Sequence, residues 1–193
     1  MKKKLKQNLR LARVVVYKET LVDFREHMWT FFGAFFGIGL IGFLNTHYLE
    51  PNDNLFLIGS FGASSVLIYG IINSPLAQPR NLVGGHVICA ITGVTAHYVI
   101  PSEHWLAAAL AVSVSIVLMQ ITKTLHPPGG ATALIAVIGS PKIQSLGYLY
   151  VITPVLTGVI ILLLVALFFN NITSHRQYPL NKHWYRVWRR RYL

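Results

Sequence analysis

Between residues 28 and 170 the chain is built from unbroken apolar runs, not from stripes with a helical or strand period. Six runs can be drawn: 28–49, 55–72, 82–100, 104–122, 129–139 and 148–169. A helix rising about 1.5 Å per residue needs about 20 apolar residues to cross a hydrocarbon core of about 30 Å. The first and last runs meet that length, the third and fourth come close, and the second is marginal. The fifth run, 129–139, reaches only about 17 Å as a helix and cannot cross alone. The pattern predicts an all-α membrane protein with about six hydrophobic segments, two of them short, broken or re-entrant.

The short runs resemble each other. Run two reads GASSVLIYG from Gly62 and is followed by Ser74-Pro75. Run five reads GATALIAVIG from Gly130 and is followed by Ser140-Pro141. Each lies between two longer runs, so the order long, short, long occurs twice. Three crossings per unit would make an inverted repeat of three plus three, a plan that places binding sites on broken helices at the repeat interface. Chance likeness between small-residue membrane segments is the alternative.

Charge sets the orientation. The chain carries 17 Lys plus Arg against six Asp plus Glu, a formal net charge of +11. Most of the basic residues lie in the tails. That gives three regions: a basic amphipathic segment 1–27, a transmembrane domain 28–170, and a basic, aromatic tail 171–193 that includes Trp184 and Trp188. Leu5, Leu9, Ala12, Val16 and Phe24 suit a helix lying on anionic lipid; a solvated basic tail is the other reading. The positive-inside rule puts both termini in the cytoplasm, and accounts for the charge better than nucleic-acid binding does. Six crossings is the preferred layout: the loops holding Glu50, Asp53 and Glu103 then face out and those holding Arg80 and Lys123 face in, with only Lys142 breaking the pattern. Four full spans with two re-entrant segments would put Arg80 and Lys123 outside.

The candidate chemistry lies where the apolar runs are interrupted. In LHPPGGATALIAVIGSP, 125–141, Pro127 and Pro128 lack N–H groups and disfavour helix before them. The helix of run four should therefore end near Leu125 or His126, and a short helix should start at Gly130 or Ala131. Its first N–H groups, with Gly129 and the Thr132 hydroxyl, would offer the positive end of a helix dipole to an anion. In GSFGASS, 59–65, Ser60, Ser64 and Ser65 are candidate donors, with helix packing through small residues as the plainer account. SPLAQPRNLVGGH, 74–86, adds Arg80, Asn81 and His86. An arginine fork suits oxyanions, although a charged anchor at the membrane face is the simpler role. Lys123 and His126 complete a basic approach.

Absences narrow the class. No Asp or Glu lies inside any run, which disfavours carboxylate-based cation transport or catalysis. There is no HExxH, no phosphate loop and no catalytic pair, so neither an enzyme nor a cofactor is expected. The eight histidines are scattered, and Cys89 is the single cysteine, so no metal site is expected.

HPPGGATAL (126–134), GSFGAS (59–64), SPLAQPRN (74–81) and GGH (84–86) resemble the motifs of the HPP family, named for the His-Pro-Pro that stands here as His126-Pro127-Pro128. The resemblance covers roughly 28–170. It implies four transmembrane helices, so two of the six segments must be short or re-entrant. Plastid and cyanobacterial members are associated with nitrite transport, so the resemblance implies nitrite, where the residues alone imply only a small anion. The expectation is a transporter or channel for nitrite or a similar anion, against a non-transporting membrane scaffold or sensor. Gly33, Ala34 and Gly37 form a small-residue face that would let copies of the chain associate.

Overall fold

The computed structural model describes residues 24–48 and 59–181. The expected interfacial helix, apart from its last residues, and the Trp184–Trp188 anchor lie outside them, as do Glu50 and Asp53. The described residues are helical, with no strand among them. Helix α1 covers Phe24–Tyr48. Helix α2 covers 59–65 and continues as a π turn over Val66–Gly70. Helices α3, Pro79–Val99, and α4, His104–Thr122, follow. Helix α5 is Pro128–Ile138 and α6 is the single turn Pro141–Ser145. A π turn, Val151–Leu156, leads into α7, Thr157–Phe169. Four segments are long and apolar enough to cross a membrane: α1, α3, α4 and Val151–Phe169; α5 is a shorter apolar helix.

Each boundary has a local cause. Pro79, Pro128 and Pro141 all stand in a first helical turn, where a missing N–H costs nothing. The two Ser-Pro steps do the same work: Ser74 accepts from the Leu76 N–H at 3.2 Å, and Ser140 from the Ile143 N–H at 3.3 Å. Two expected boundaries move. Helix α4 ends at Thr122, earlier than proline placement predicts, because Lys123 turns into the left-handed region at φ 56°. Helix α5 starts at Pro128, because Pro127 already has helical dihedrals. The last apolar run is also less regular than its length suggests. Pro154 removes a donor and Thr153 is extended (φ −130°, ψ 120°), so the helix is broken one turn before α7.

Helix α3 is the hub, in contact with α4, α5 and α7. Glycines let its neighbours approach. A Cβ on Gly85 would lie 2.5 Å from the His126 Cβ, and one on Gly93 would lie 2.9 Å from the Ala133 Cα. The order of these contacts makes α5 run alongside α3 in the same direction. Helix α4 presents Ala107, Ala111, Ser115 and Met119, a four-residue repeat, to this core. Helix α1 packs on α7, and its Gly33 and Gly37 are filled by the ring of Tyr69 from α2. The small-residue face expected to join copies of the chain is therefore occupied within one chain. Phe31, Phe35 and Phe43 project outward from α1, as lipid contact requires.

A polar clasp closes one face of the bundle. The π turn leaves carbonyls without helical partners. Asn170 donates to Ile68 O at 2.7 Å, and Arg176 donates to Tyr69 O at 2.8 Å and Asn170 Oδ1 at 2.9 Å. Arg176 Nε lies 3.4 Å from Glu26 Oε2. Burial pulls the Arg176 pKa below the usual arginine value, and Glu26 acts in the opposite sense. Residue Tyr178 donates to Ala77 O at 2.7 Å. Residues 24–30 and 170–178 thus meet at the same face.

A buried imidazole and hydroxyl line as candidate functional site

Five polar side chains from α2, α3, α5 and the 123–127 connection meet in the interior. They are Ser60, Ser64, His86, His126 and Thr132, each 0% or 1% exposed. Their spacing follows from secondary structure. Ser60 and Ser64 are four apart on α2 and share a face. Gly85 admits the 123–127 connection, His126 is the residue admitted, and His86 follows Gly85 in α3. Thr132 lies on the second turn of α5.

The distances form one continuous chain. Ser60 Oγ is 2.7 Å from Thr132 Oγ1. Thr132 Oγ1 is 2.7 Å from His86 Nδ1. His86 Nε2 is 2.8 Å from Ser64 Oγ, which is 2.9 Å from His126 Nε2. His126 Nδ1 is 2.8 Å from Leu76 O. Because a carbonyl only accepts, His126 Nδ1 must carry its proton. In the neutral ring, Nε2 then accepts, and Ser64 supplies that hydrogen. Ser64 has only one, so His86 Nε2 must donate to Ser64. His86 Nδ1 then accepts from Thr132, and Thr132 from Ser60. Two longer contacts, Ser60 Oγ to Pro128 O at 3.3 Å and Ser64 Oγ to Ser60 O at 3.2 Å, compete for the same hydrogens. Committing the Ser64 hydrogen there would strip His126 Nε2 of its donor. The opposite tautomer of His86 would likewise leave a buried ring nitrogen without a partner, at a cost of about 1–3 kcal/mol. The line therefore has one direction: Ser60 to Thr132 to His86 to Ser64 to His126 to Leu76 O.

Neighbours hold it in place. Tyr150 donates to Thr132 O at 3.0 Å, and Phe61 lies 5.8 Å from the His86 ring. The two imidazole centroids are 5.0 Å apart. Sequence reasoning misses Leu76 O and Tyr150. A backbone carbonyl leaves no mark in a sequence, and Tyr150 reaches Thr132 only through the tertiary fold.

The other candidates from the sequence are distributed around this line. Arg80 donates to Thr122 O at 2.6 Å, at the negative end of α4, and is half-buried. Asn81 donates to Leu125 O at 2.8 Å. Lys123 is exposed beside them. Gly129 is packed against Gly85 and Cys89, whereas Gly130 faces open space and Ala131 is exposed. Ser65 is buried and its hydroxyl has no hydrogen-bond partner. No group of three His, Cys, Asp or Glu side chains suited to a metal occurs among the described residues.

A four-span helical domain with a fully buried imidazole and hydroxyl line defines a multi-pass integral membrane protein. Residues 19–179 match the family model described as "HPP, transmembrane region". The chain belongs to the HPP transmembrane family. Two transmembrane proteins of Dictyostelium discoideum are similar to it. One is 45% identical over 163 residues, covering 82% of this chain and 56% of the relative. The other is 42% identical over 160 residues, covering 81% and 51%. The chain thus spans about half the length of these curated relatives. No solved structure gives a significant match.

Proposed function

We propose that the protein is a transporter or channel for a small inorganic anion, with nitrite as the first substrate to test. The reading rests on the buried line. A bilayer-embedded domain that contains five hydrogen-bonded hydroxyl and imidazole groups places costly polarity where helix packing alone would use apolar side chains. Within the four spans the single carboxylate is Glu26, in the first turn of α1 and held by Arg176, and a pathway without acids fits an anion better than a cation. At the start of α5, Gly130 is open and Thr132 joins the line; the Gly129 and Gly130 N–H groups turn back to His126 O and Pro127 O at 2.9 and 3.0 Å, so this end offers an anion the positive pole of the helix and not the free N–H groups expected from the sequence. Arg80 and Lys123 would raise the local anion concentration at the adjacent face. The two short helices would meet as the broken elements of an inverted repeat. The setting we propose is a bacterial inner membrane with both termini cytoplasmic and anionic lipid as neighbour.

A second reading is favoured by one observation. Every member of the line is already partnered and buried, as in a scaffold or sensor whose polar groups only fix helix register.

Nitrite flux into liposomes containing the purified protein decides between them. Empty liposomes and His126→Ala serve as controls, with nitrate and chloride as competitors. Protein-dependent nitrite flux that is lost in the variant supports transport. No flux from well-folded protein favours the scaffold.

A further inference from the structure

We infer that the buried line is a directed proton relay, and that the anion crosses together with a proton. This inference deepens the transport reading and rests on it.

Three observations carry it. First, the donors and acceptors align in one order, so the line is a set of prepared steps of 2.7–2.9 Å. Second, the acids among the described residues are Glu26 and Glu103, which are engaged by Arg176 and Trp105 away from the line. Of the other basic groups near the line, Arg80 is bonded to Thr122 O and Lys123 is exposed. Tyr150 and Tyr178 hold their protons on the carbonyls of Thr132 and Ala77. The side chains of His86 and His126 are therefore the groups on the line with a basic ring nitrogen; burial pushes His126 down to about 4, so a proton passes through the line without resting there. Third, its two ends differ in setting. One lies at the start of α5 beside open Gly130, and the other at Leu76, which is half-buried next to exposed Pro75.

The step balances. A proton bound at Ser60 Oγ displaces the hydroxyl hydrogen to Thr132. The Thr132 hydrogen moves to His86 Nδ1, and the His86 Nε2 hydrogen to Ser64. The Ser64 hydrogen moves to His126 Nε2, and the His126 Nδ1 proton passes to a water molecule entering at the Leu76 end, since the carbonyl itself is too weak a base to keep it. One proton enters and one departs, and only O–H and N–H bonds change. The line is then reversed. Its recovery requires the hydroxyls and both rings to turn. Rings packed at 0% exposure can turn only when the interior loosens. Passage of the anion supplies that loosening, which ties one proton to one opening.

The test uses liposomes of the intact chain with a pH-reporting dye inside, under a potassium-clamped potential, at mildly alkaline pH to suppress leakage of free nitrous acid. Nitrite uptake and internal acidification are read together after a nitrite gradient is imposed. The expected result is acidification that tracks nitrite uptake. Ser64→Ala should reduce acidification at least tenfold, and Ser64→Thr, which keeps the hydroxyl, should retain it. Size-exclusion profiles and thermal unfolding show that both variants are folded. Nitrite uptake at full rate without acidification overturns the relay and leaves transport standing, as does a folded Ser64→Ala protein that still acidifies. Absence of nitrite uptake in the unaltered protein overturns transport and the relay together.

Discussion

His86 and His126 stand forty residues apart in the chain, yet both contact the hydroxyl of Ser64, at 2.8 and 2.9 Å. This single oxygen joins the segment before α5 to α3. Replacing it exposes two buried ring nitrogens to an empty space. We therefore expect Ser64→Ala to lower stability by about 1–3 kcal/mol. Thermal unfolding in detergent measures this directly, and an unchanged midpoint would mean that the rings find other partners.

Glycine substitutions should separate sharply by position. At Gly93 the new methyl would meet the backbone of Ala133, which cannot move without shifting α5. Gly93→Ala is expected to cost about 1–3 kcal/mol. Gly62 lies within α2 and faces open space, so Gly62→Ala should be neutral or stabilise by about 0.5–1 kcal/mol through reduced chain entropy. Parallel unfolding curves for the two variants test the contrast.

Arg176 closes the clasp between residues 24–30 and the end of α7. Its loss would leave Asn170 Oδ1 without its donor, Tyr69 O with the Thr30 hydroxyl at 3.0 Å in place of two donors, and Glu26 without its cation. Arg176→Ala should destabilise by about 3 kcal/mol. Arg176→Lys should recover part of this, since one ammonium cannot reproduce the forked geometry. Chemical denaturation of the three proteins gives the ordering.

Arg80 has the chemistry to receive the anion, and in the fold it holds the last carbonyl of α4 instead. A surface guanidinium in that position acts at long range. For Arg80→Gln we expect nitrite uptake with a KM raised several-fold at low salt, and a difference that disappears as salt is added. A difference that persists at high salt would indicate direct contact with the anion.

The contrast between Arg80 and His126 shows what can be read from sequence. Of the six apolar runs, four are the long helices that the fold contains, and the Pro-Pro-Gly-Gly stretch announces a break with a short helix after it. The motifs also single out Ser60, Ser64, His86, His126 and Thr132, all of which meet in the fold. Their pairing is not legible, because it depends on Gly85 letting His126 approach α3. The break at Thr153-Pro154 is hidden, since an apolar run of sufficient length conceals one proline. Arg176 reads as a tail charge, because nothing local reveals that the π turn of α2 needs donors.

The clasp has an electrical consequence. Because Glu26 and Arg176 touch, the chain enters and leaves the helical domain at one face. Twelve of the 17 Lys and Arg residues precede Phe24 or follow Asn181. The two segments that adjoin this face in sequence thus hold most of the chain's positive charge, and the expected consequence is one preferred way up on insertion, since turning the domain over would draw both segments through oil.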